Sequence, residues 1–380
     1  MPSFLKRQAG CLVSAVTFLL CLAAVEVYVR IAYPQEDIFA LTGRLTMPDP
    51  MSAWAVTDAF CAYRPIPGYY DAAKTVDSFG FISTPEITLE KPQGTLRILF
   101  LGESSTAGTG PVNLADEDTW PWQTVEMLRA KVPVSIDFIN GAAGGYTSFE
   151  SYGRLWSRLR FFHPDIVVVC HGWNEMYYFD RADSILSWRT LPGGSWSIGG
   201  DLPRPVRIYE PLWIDPLIRW SQLLTLVRTR FSHPIPLGEF GSSPEGPLRT
   251  DFDHDGVAIW RTNLILLREA CNVLGARIFV VKQPSLVVEG LPGRLQSFCH
   301  CEWHGFDFQA HVRAYSAIYK VIDEEIPHES VIDLTPLSGD PSYFFDHVHP
   351  TPEGCHEIAG IVSDSLASYI LGLGGDSLRP

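Results

Sequence analysis

The chain has 380 residues, of which 46% are hydrophobic and 19% are charged. This length allows one large domain with insertions or two ordinary domains, and the apolar content excludes disorder over most of the chain. The formal net charge of −14 argues against a nucleic-acid partner, because phosphate backbones repel an acidic protein. The eight cysteines are too few for a disulfide scaffold and include no pair of Cys-x-x-Cys motifs of the kind that holds structural zinc.

The N-terminal segment has the pattern of a membrane helix. Lys6 and Arg7 precede an uncharged and mostly apolar run over residues 8–25. As a helix this run is about 27 Å long, which is close to the thickness of the hydrocarbon layer. We therefore predict that residues 1–30 form a membrane anchor, and the preceding basic residues favour an orientation that places the rest of the chain outside the cytoplasm.

A cleaved secretory signal is the alternative for the same segment, since Cys21-Leu22-Ala23 has the small-residue spacing of a cleavage site. In that case the protein is secreted rather than anchored. Both alternatives export the chain, and an exported chain could use the six cysteines from Cys61 onward in disulfides. The sequence does not indicate how they would pair.

Residues 31–95 are rich in proline and glycine turn signals, and we predict a linker and an irregular N-terminal extension. From residue 96 to residue 373, short apolar runs alternate with stretches of helical spacing. Near-continuous apolar runs are typical of parallel strands that are covered on both faces, so the fold class predicted is α/β, with a parallel sheet between two helix layers. The predicted strands are residues 97–101, 134–139, 165–170, 277–281 and 331–334.

A long insertion is predicted at about residues 179–255, where the alternation of strands and helices stops. It contains Trp188, Trp196, Trp213 and Trp220. These side chains could line a rim that binds sugar or acyl groups, while packing beneath a long loop is the ordinary role of such aromatic residues.

Four of the turns that follow the predicted strands carry reactive or hydrogen-bonding residues. Ligands bind beyond the carboxyl ends of parallel strands, so these turns are expected to lie together. A serine, a histidine, an aspartate and amide donors are the groups that acyl transfer requires. The four blocks are Gly102-Glu103-Ser104-Ser105, Gly144-Gly145-Tyr146-Thr147-Ser148, Gly172-Trp173-Asn174-Glu175 and Asp346-His347-Val348-His349.

In content and order these blocks resemble those of the SGNH/GDSL hydrolases, over roughly residues 96–373 with the insertion unmatched. The resemblance implies a three-layer α/β/α sandwich with a flavodoxin-like parallel sheet of five strands, and it requires neither a metal nor an organic cofactor. It makes Ser104 the nucleophile, His349 the base and Asp346 the residue that orients the base. The oxyanion hole then consists of the backbone amides of Ser104 and Gly145 and the side-chain amide of Asn174.

Each block also has a second interpretation. Ser105 is the alternative nucleophile, Gly144 is the alternative oxyanion donor, and His347 is a neighbour of the base without a role of its own. Glu103 and Glu175 stand where the family usually has aspartate, so the fine positioning of the site is expected to differ from the family pattern.

The expected function is that of a serine esterase acting on an acylated small molecule or glycan. Deacetylation of an envelope polysaccharide and hydrolysis of a lipid ester are both compatible with an exported, anchored chain. The sequence leaves two other functions open, which are acyl transfer to a carbohydrate and binding of a glycan or lipid without catalysis. It leaves the oligomeric state undetermined.

Two further segments contain groups that can bind metals. Residues 251–256 resemble the start of an EF-hand loop, but Thr262 occupies the twelfth position, where that loop needs glutamate. A solvated acidic loop that caps a helix is the alternative. Residues 299–304 contain two cysteines and two histidines at a spacing that is unusual for zinc, and a local disulfide, buried thiols or a surface loop are the alternatives.

Overall fold

The computed structural model describes residues 2–32, 55–58, 60–65, 67–69, 74–180, 212–218, 220–231 and 247–372. The described residues belong to two compact units. The first unit contains residues 2–32, 212–218 and 220–231, and the second contains the remainder.

The helices and strands are numbered in chain order. The helices are α1 (Pro2–Ala32), α2 (Ser104–Ala107), α3 (Trp120–Arg129), α4 (Ser148–Ser157), α5 (Tyr177–Asp180), α6 (Asp215–Ile218), α7 (Gln222–Phe231), α8 (His254–Leu274), α9 (Gly293–Gln296), α10 (Phe308–Glu325) and α11 (Pro352–Gly372). The strands are β1 (Ala55–Asp58), β2 (Ala62–Pro65), β3 (Gly68–Tyr69), β4 (Thr75–Val76), β5 (Thr95–Gly102), β6 (Ser135–Asn140), β7 (Ile166–His171), β8 (Arg277–Lys282) and β9 (Val331–Asp333).

A five-stranded sheet forms the centre of the second unit, and each of its strands overlaps one of the five predicted from the sequence. All its strand pairs are parallel, in the order β6-β5-β7-β8-β9. This is the flavodoxin-like order, in which the first strand of the sheet lies between the second and the third. Phe100 of β5 pairs with Asn140 of β6 and with Val168 of β7, so the carboxyl ends of these strands meet at one edge.

The two faces of the sheet are buried under separate helix layers. Leu99 and Leu101 of β5 belong to the hydrophobic core that includes residues of α4, α8 and α10. Ile98 and Phe100 point to the opposite face, where the core includes residues of α3 and α11. Because neighbouring residues of a strand alternate between faces, an almost wholly apolar strand such as β5 needs both layers. The predicted three-layer α/β fold is therefore confirmed.

The N-terminal extension contributes to this core from residue 55 onward. Strands β1 and β2 form one antiparallel pair, and β3 and β4 form another. Tyr63 and Phe81 are buried in the core on the side of α4, α8 and α10. The second half of the predicted linker is thus part of the folded second unit, while residues 33–54, 59, 66 and 70–73 lie outside the described residues.

The first unit contains one long N-terminal helix and two short helices of the insertion. Helix α1 contains a 20-residue stretch, Val13–Ala32, with a mean hydropathy of 2.0. It is long and apolar enough to cross a membrane, and a signal sequence has the same properties. Helix α1 packs against α7. Residues 181–211 and 232–246 of the insertion, including Trp188 and Trp196, lie outside the described residues.

The groups that the sequence offered for metal binding or disulfides are the cysteines, the acidic loop of residues 251–256 and residues 299–304. The seven cysteines whose side chains are described are free thiols. In the acidic loop, the Asp253 carboxylate caps α8 by accepting a hydrogen bond from the Asp255 amide at 2.9 Å. In residues 299–304, His304 pairs with His311 at 3.0 Å, and Cys299 and Cys301 are buried.

Candidate active site

Ser104 lies at the start of α2, directly after the carboxyl end of β5. The turn between strand and helix is tight, because a Cβ on Gly102 would lie 2.7 Å from the carbonyl oxygen of Cys170. Ser104 is half-buried, whereas the following Ser105 is buried. The sharp turn therefore presents the Ser104 hydroxyl at the edge where the strands end.

His349 connects Ser104 with Asp346. Its Nε2 lies 2.8 Å from the Ser104 Oγ, although the two residues are 245 positions apart in the chain. Its Nδ1 lies 2.7 Å from the Asp346 Oδ2. A carboxylate can only accept, so Nδ1 donates its hydrogen to Asp346, and Nε2 is left as an acceptor that faces the serine hydroxyl.

The loop that carries Asp346 and His349 doubles back on itself. Phe344 and Pro350 are paired across its base, and the Phe345 amide donates to the His349 carbonyl at 2.8 Å. Inside the loop, Oδ1 of Asp346 accepts the amide hydrogens of Val348 and His349, each at 2.9 Å. This closed loop allows side chains three residues apart to meet.

The Asp346 carboxyl is held in its ionised form. Its burial alone would raise its pKa, but the hydrogen bonds from His349 and from the Val348 amide outweigh burial and hold the pKa well below its usual range. The carboxylate is therefore negatively charged at neutral pH and can stabilise a positive charge on His349.

Gly110 lies directly against the His349 ring. A Cβ at this position would lie 2.5 Å from Cδ2 and 2.7 Å from Cγ of His349. The ring cannot move aside without breaking its bonds to Ser104 and Asp346. The position therefore has to be glycine for the three side chains to stay in contact.

We expect Gly110→Ala to lower kcat for an ester substrate by about 100-fold, the cost typical of a displacement of about 1 Å at a reacting group. Gly360→Ala on α11 is the matched control, because a Cβ there would meet nothing within 4 Å. Steady-state kinetics and thermal unfolding of the two variants check this expectation. Equal kcat in both variants would show that Gly110 does not hold the ring in place.

The predicted oxyanion donors lie around Ser104. Gly144 is adjacent, since a Cβ on it would lie 3.9 Å from the Ser104 Cβ, and Gly145 follows with a φ of 74°. Among the described residues, the backbone amides of Ser104, Gly144 and Gly145 have no acceptor. These three backbone donors are thus unused in the described part of the chain, and the choice between Gly144 and Gly145 stays open.

The side chain of Asn174 is tied to the same loop. Its Nδ2 donates one hydrogen to the Tyr146 carbonyl at 3.0 Å, and an amide nitrogen has a second hydrogen to donate. The Asn174 backbone amide donates to Oε2 of Glu103 at 2.9 Å. Asn174 is therefore held by Tyr146, which follows Gly145, and by Glu103, which precedes Ser104.

Glu103, which the sequence singled out as a departure from the family pattern, lies between the turns of Ser104 and Asn174. Its carboxylate is buried and accepts hydrogen bonds from the Asn174 amide and from Nε2 of Gln283. Burial raises the pKa of Glu103 to about 7, although the hydrogen bonds of Gln283 and Asn174 and the charge of His349 act in the opposite direction. This buried carboxyl links the turn of the nucleophile to the turn of Asn174.

Gln283 belongs to the same set of contacts, and the sequence did not single it out. It follows β8 directly, and its Oε1 accepts the Trp173 amide at 2.8 Å while its Nε2 donates to the Ser105 hydroxyl at 3.0 Å. The Ser105 hydroxyl is therefore hydrogen-bonded to Gln283 rather than to His349. The position of Gln283 at the end of the fourth strand is a signal that could have found it.

Glu175 supports the glycine loop from below. Its carboxyl accepts the backbone amide of Ser148 at 2.6 Å and the Ser148 hydroxyl at 2.8 Å, at the start of α4. Burial raises the pKa of Glu175 to about 8, despite these two hydrogen bonds. Glu175 therefore reaches the first residue of α4, the helix that follows the loop of Gly144 and Gly145.

His347 points away from the nucleophile and packs on Trp173, with ring centroids 3.8 Å apart. Burial lowers its pKa to about 3, so it is neutral at physiological pH. Asp346, His347 and His349 also form a group of possible metal ligands, with ligand atoms within 4.8 Å of one another. Asp346 and His349 are already hydrogen-bonded to each other, and His349 is also hydrogen-bonded to Ser104. This arrangement suits proton transfer.

No protein-family model and no curated protein matches the chain. Similar solved structures include a lipase/acylhydrolase from Enterococcus faecalis (13% identity, TM-score 0.40, 72% of this chain and 96% of that one). An acetyl xylan esterase has 13% identity and a TM-score of 0.40, over 72% of this chain and 100% of that one. The esterase EstA from Pseudoalteromonas sp. has 15% identity and a TM-score of 0.38, over 72% of this chain and 98% of that one. These values are low, so the functional conclusion rests on this chain's own residues.

Proposed function

We propose that this chain is a serine ester hydrolase of the SGNH/GDSL type. The observation that carries this proposal is the unbroken set of hydrogen bonds from Ser104 through His349 to Asp346, at 2.8 Å and 2.7 Å. A nucleophile, a base and an oriented carboxylate in this geometry are the signature of covalent acyl transfer.

The first step forms an acyl-enzyme. The Ser104 oxygen attacks the ester carbonyl while its proton moves to Nε2 of His349, and the hydrogen on Nδ1 stays bonded to the Asp346 carboxylate. The carboxylate stabilises the imidazolium electrostatically without taking its proton. His349 then gives the proton to the leaving alcohol as the carbon–oxygen bond of the ester breaks.

The oxyanion formed in this step needs donors that are already in place. The backbone amides of Ser104 and Gly145, with Gly144 as the alternative, and the second hydrogen of the Asn174 amide are the donors we assign. Loss of one such donor typically costs about 2.7–4 kcal/mol of transition-state stabilisation. Glu103 and Gln283 fix the turns that hold these donors, so they act through Asn174 rather than on the substrate.

Water completes the cycle. His349 removes a proton from a water molecule that attacks the acyl carbon, and the same proton returns to Ser104 as the acid is released. No metal or organic cofactor takes part in these steps. Helix α1 supports an exported protein, and we therefore assign the substrate to acylated small molecules or glycans outside the cytoplasm, such as an O-acetylated envelope polysaccharide.

A fluorophosphonate probe tests the proposal. We expect covalent labelling of the folded protein at Ser104, identified by mass spectrometry of the labelled peptide, together with hydrolysis of p-nitrophenyl acetate. Folded protein that neither reacts with the probe nor hydrolyses the ester would favour a binding protein without catalysis. Product analysis with and without a glycan acceptor then distinguishes hydrolysis from acyl transfer, since both use the same acyl-enzyme.

A further inference from the structure

Helix α7 has the reverse of the pattern expected for a helix of a water-soluble protein. Thr225 and Arg228 are buried, while the side chains of Leu224, Val227 and Phe231 are exposed by 46%, 43% and 83%. These three apolar residues are spaced at i, i+3 and i+7, so they lie on one face of the helix. One exposed face of α7 is therefore apolar, while Thr225 and Arg228 point inward and Arg230 is exposed.

The inward polar residues are matched to each other. Arg228 Nε lies 3.1 Å from Oδ1 of Asp215 on α6, and both side chains are almost fully buried. This ion pair joins α6 to α7 and neutralises the charge beneath the apolar face. Arg228 and Asp215 are thus hidden beneath the exposed apolar side chains of α7.

Helix α6 and the turns on either side of it extend the same kind of surface. Trp213, Leu217 and Trp220 are exposed by 83%, 70% and 75%. Tryptophan is enriched where proteins meet the boundary between lipid acyl chains and headgroups, because its ring is apolar and its N–H is a donor. We call the exposed residues Trp213, Leu217, Trp220, Leu224, Val227 and Phe231 the apolar platform.

The apolar platform is attached to the apolar helix α1. The Glu26 carboxylate of α1 accepts hydrogen bonds from the Ser221 hydroxyl at 2.8 Å and from the amides of Gln222 and Leu223, each at 2.9 Å. These are donors at the N-terminus of α7 that have no partner within that helix. Glu26 therefore fixes the start of α7 to α1.

The place of attachment is the end of the uncharged run of α1. Glu26 directly follows residues 8–25, which carry no charged side chain, and only 6% of the most apolar part of α1 is buried. A spanning helix reaches the membrane surface at such an end. The apolar platform is therefore continuous with the exposed apolar surface of α1 at the depth of the lipid headgroups.

We propose that α6 and α7 lie in the interface of a phospholipid bilayer next to α1, with the apolar platform facing the acyl chains. Continuity with α1 selects a bilayer as the occupant, because the same lipid that surrounds α1 would reach the platform. The helix would then bind as interfacial amphipathic helices do, with its apolar face in the boundary between headgroups and acyl chains. This assignment is independent of the proposed ester hydrolysis.

Quenching of tryptophan fluorescence by brominated lipid tests the proposal. The full chain is reconstituted in phosphatidylcholine vesicles with and without brominated acyl chains. Helix α1 contains no tryptophan, so the quenched emission comes from other parts of the chain. We expect the wild-type emission to be quenched. In the double variant Trp213→Phe/Trp220→Phe we expect the quenched component to fall at least about twofold, because the two replaced rings lie at the lipid interface in our proposal.

Trp156→Phe is the matched control. Trp156 is exposed by 38% but belongs to the second unit, against Arg160, and we expect its replacement to leave the quenched component unchanged. An unquenched wild type, or a double variant that is quenched as strongly as the wild type, would overturn the proposal. Hydrolysis of p-nitrophenyl acetate and the circular dichroism spectrum establish that each variant is folded.

A second copy of the chain is the competing occupant of the platform. We expect the full chain in detergent to have the mass of a monomer, measured by light scattering after correction for bound detergent. A dimer that Val227→Glu converts into a monomer would assign the platform to self-association and would overturn the lipid assignment. This measurement requires no tryptophan variant.

Discussion

Replacing Ser104 with alanine is expected to reduce the turnover of p-nitrophenyl acetate by at least about 10⁴-fold, the scale on which serine hydrolases lose activity without their nucleophile. In the proposed mechanism, the hydroxyl bonded to Nε2 of His349 is the group that becomes acylated. Thermal unfolding should change little, because Ser104 is half-buried and only one hydrogen bond of its side chain is lost. Initial rates and the melting temperature measure both effects.

Ser105→Ala provides the control for this experiment. The Ser105 hydroxyl accepts a hydrogen bond from Gln283, so its loss should alter stability more than chemistry. If Ser104→Ala keeps its activity and Ser105→Ala is inactive, Ser105 is the nucleophile instead. Retained activity in both variants would refute the serine mechanism.

Asp346→Asn is expected to lower kcat by about 10⁴-fold while the loop keeps its shape. An asparagine Oδ1 can still accept the amide hydrogens of Val348 and His349. Its amide group, however, replaces the acceptor opposite Nδ1 of His349 and donates a hydrogen there. The imidazole is then held with its hydrogen on Nε2, where it cannot accept the proton of Ser104.

Asp340→Asn is the matched control for this substitution. Asp340 is exposed, and its Oδ1 accepts the Ser342 amide in a turn of the same type, so the same exchange of carboxylate for amide should leave kcat unchanged. The ratio of kcat for the two variants is the quantity to measure. A ratio near one would show that His349 does not depend on the tautomer set by Asp346.

The sequence predicted the parts of this protein that depend on local pattern. Apolar runs located the five strands, and the rule that ligands bind at the carboxyl ends of parallel strands indicated that Ser104, Asn174 and His349 would share one edge. The meeting of Asp346 with His349, three residues apart, depends on the loop that the pairing of Phe344 with Pro350 closes.

Other features depend on contacts between distant residues and left no local pattern. The contact between Glu103 and Gln283 spans 180 positions of the chain, so no local pattern indicates that these two side chains meet. The strand pairs of the N-terminal extension are two to four residues long, too short to show a periodicity. The position of Tyr63 and Phe81 in the core follows from tertiary packing rather than from local propensity.

The separation of Ser104 and His349 in the chain determines when activity can arise. During synthesis Ser104, the proposed nucleophile, is made first, and His349, the proposed base, follows 245 residues later. A chain released before His349 has a nucleophile with no base to activate it. In the proposed mechanism, ester hydrolysis therefore has to wait until synthesis has passed His349, and a product that stops short of this residue is inert.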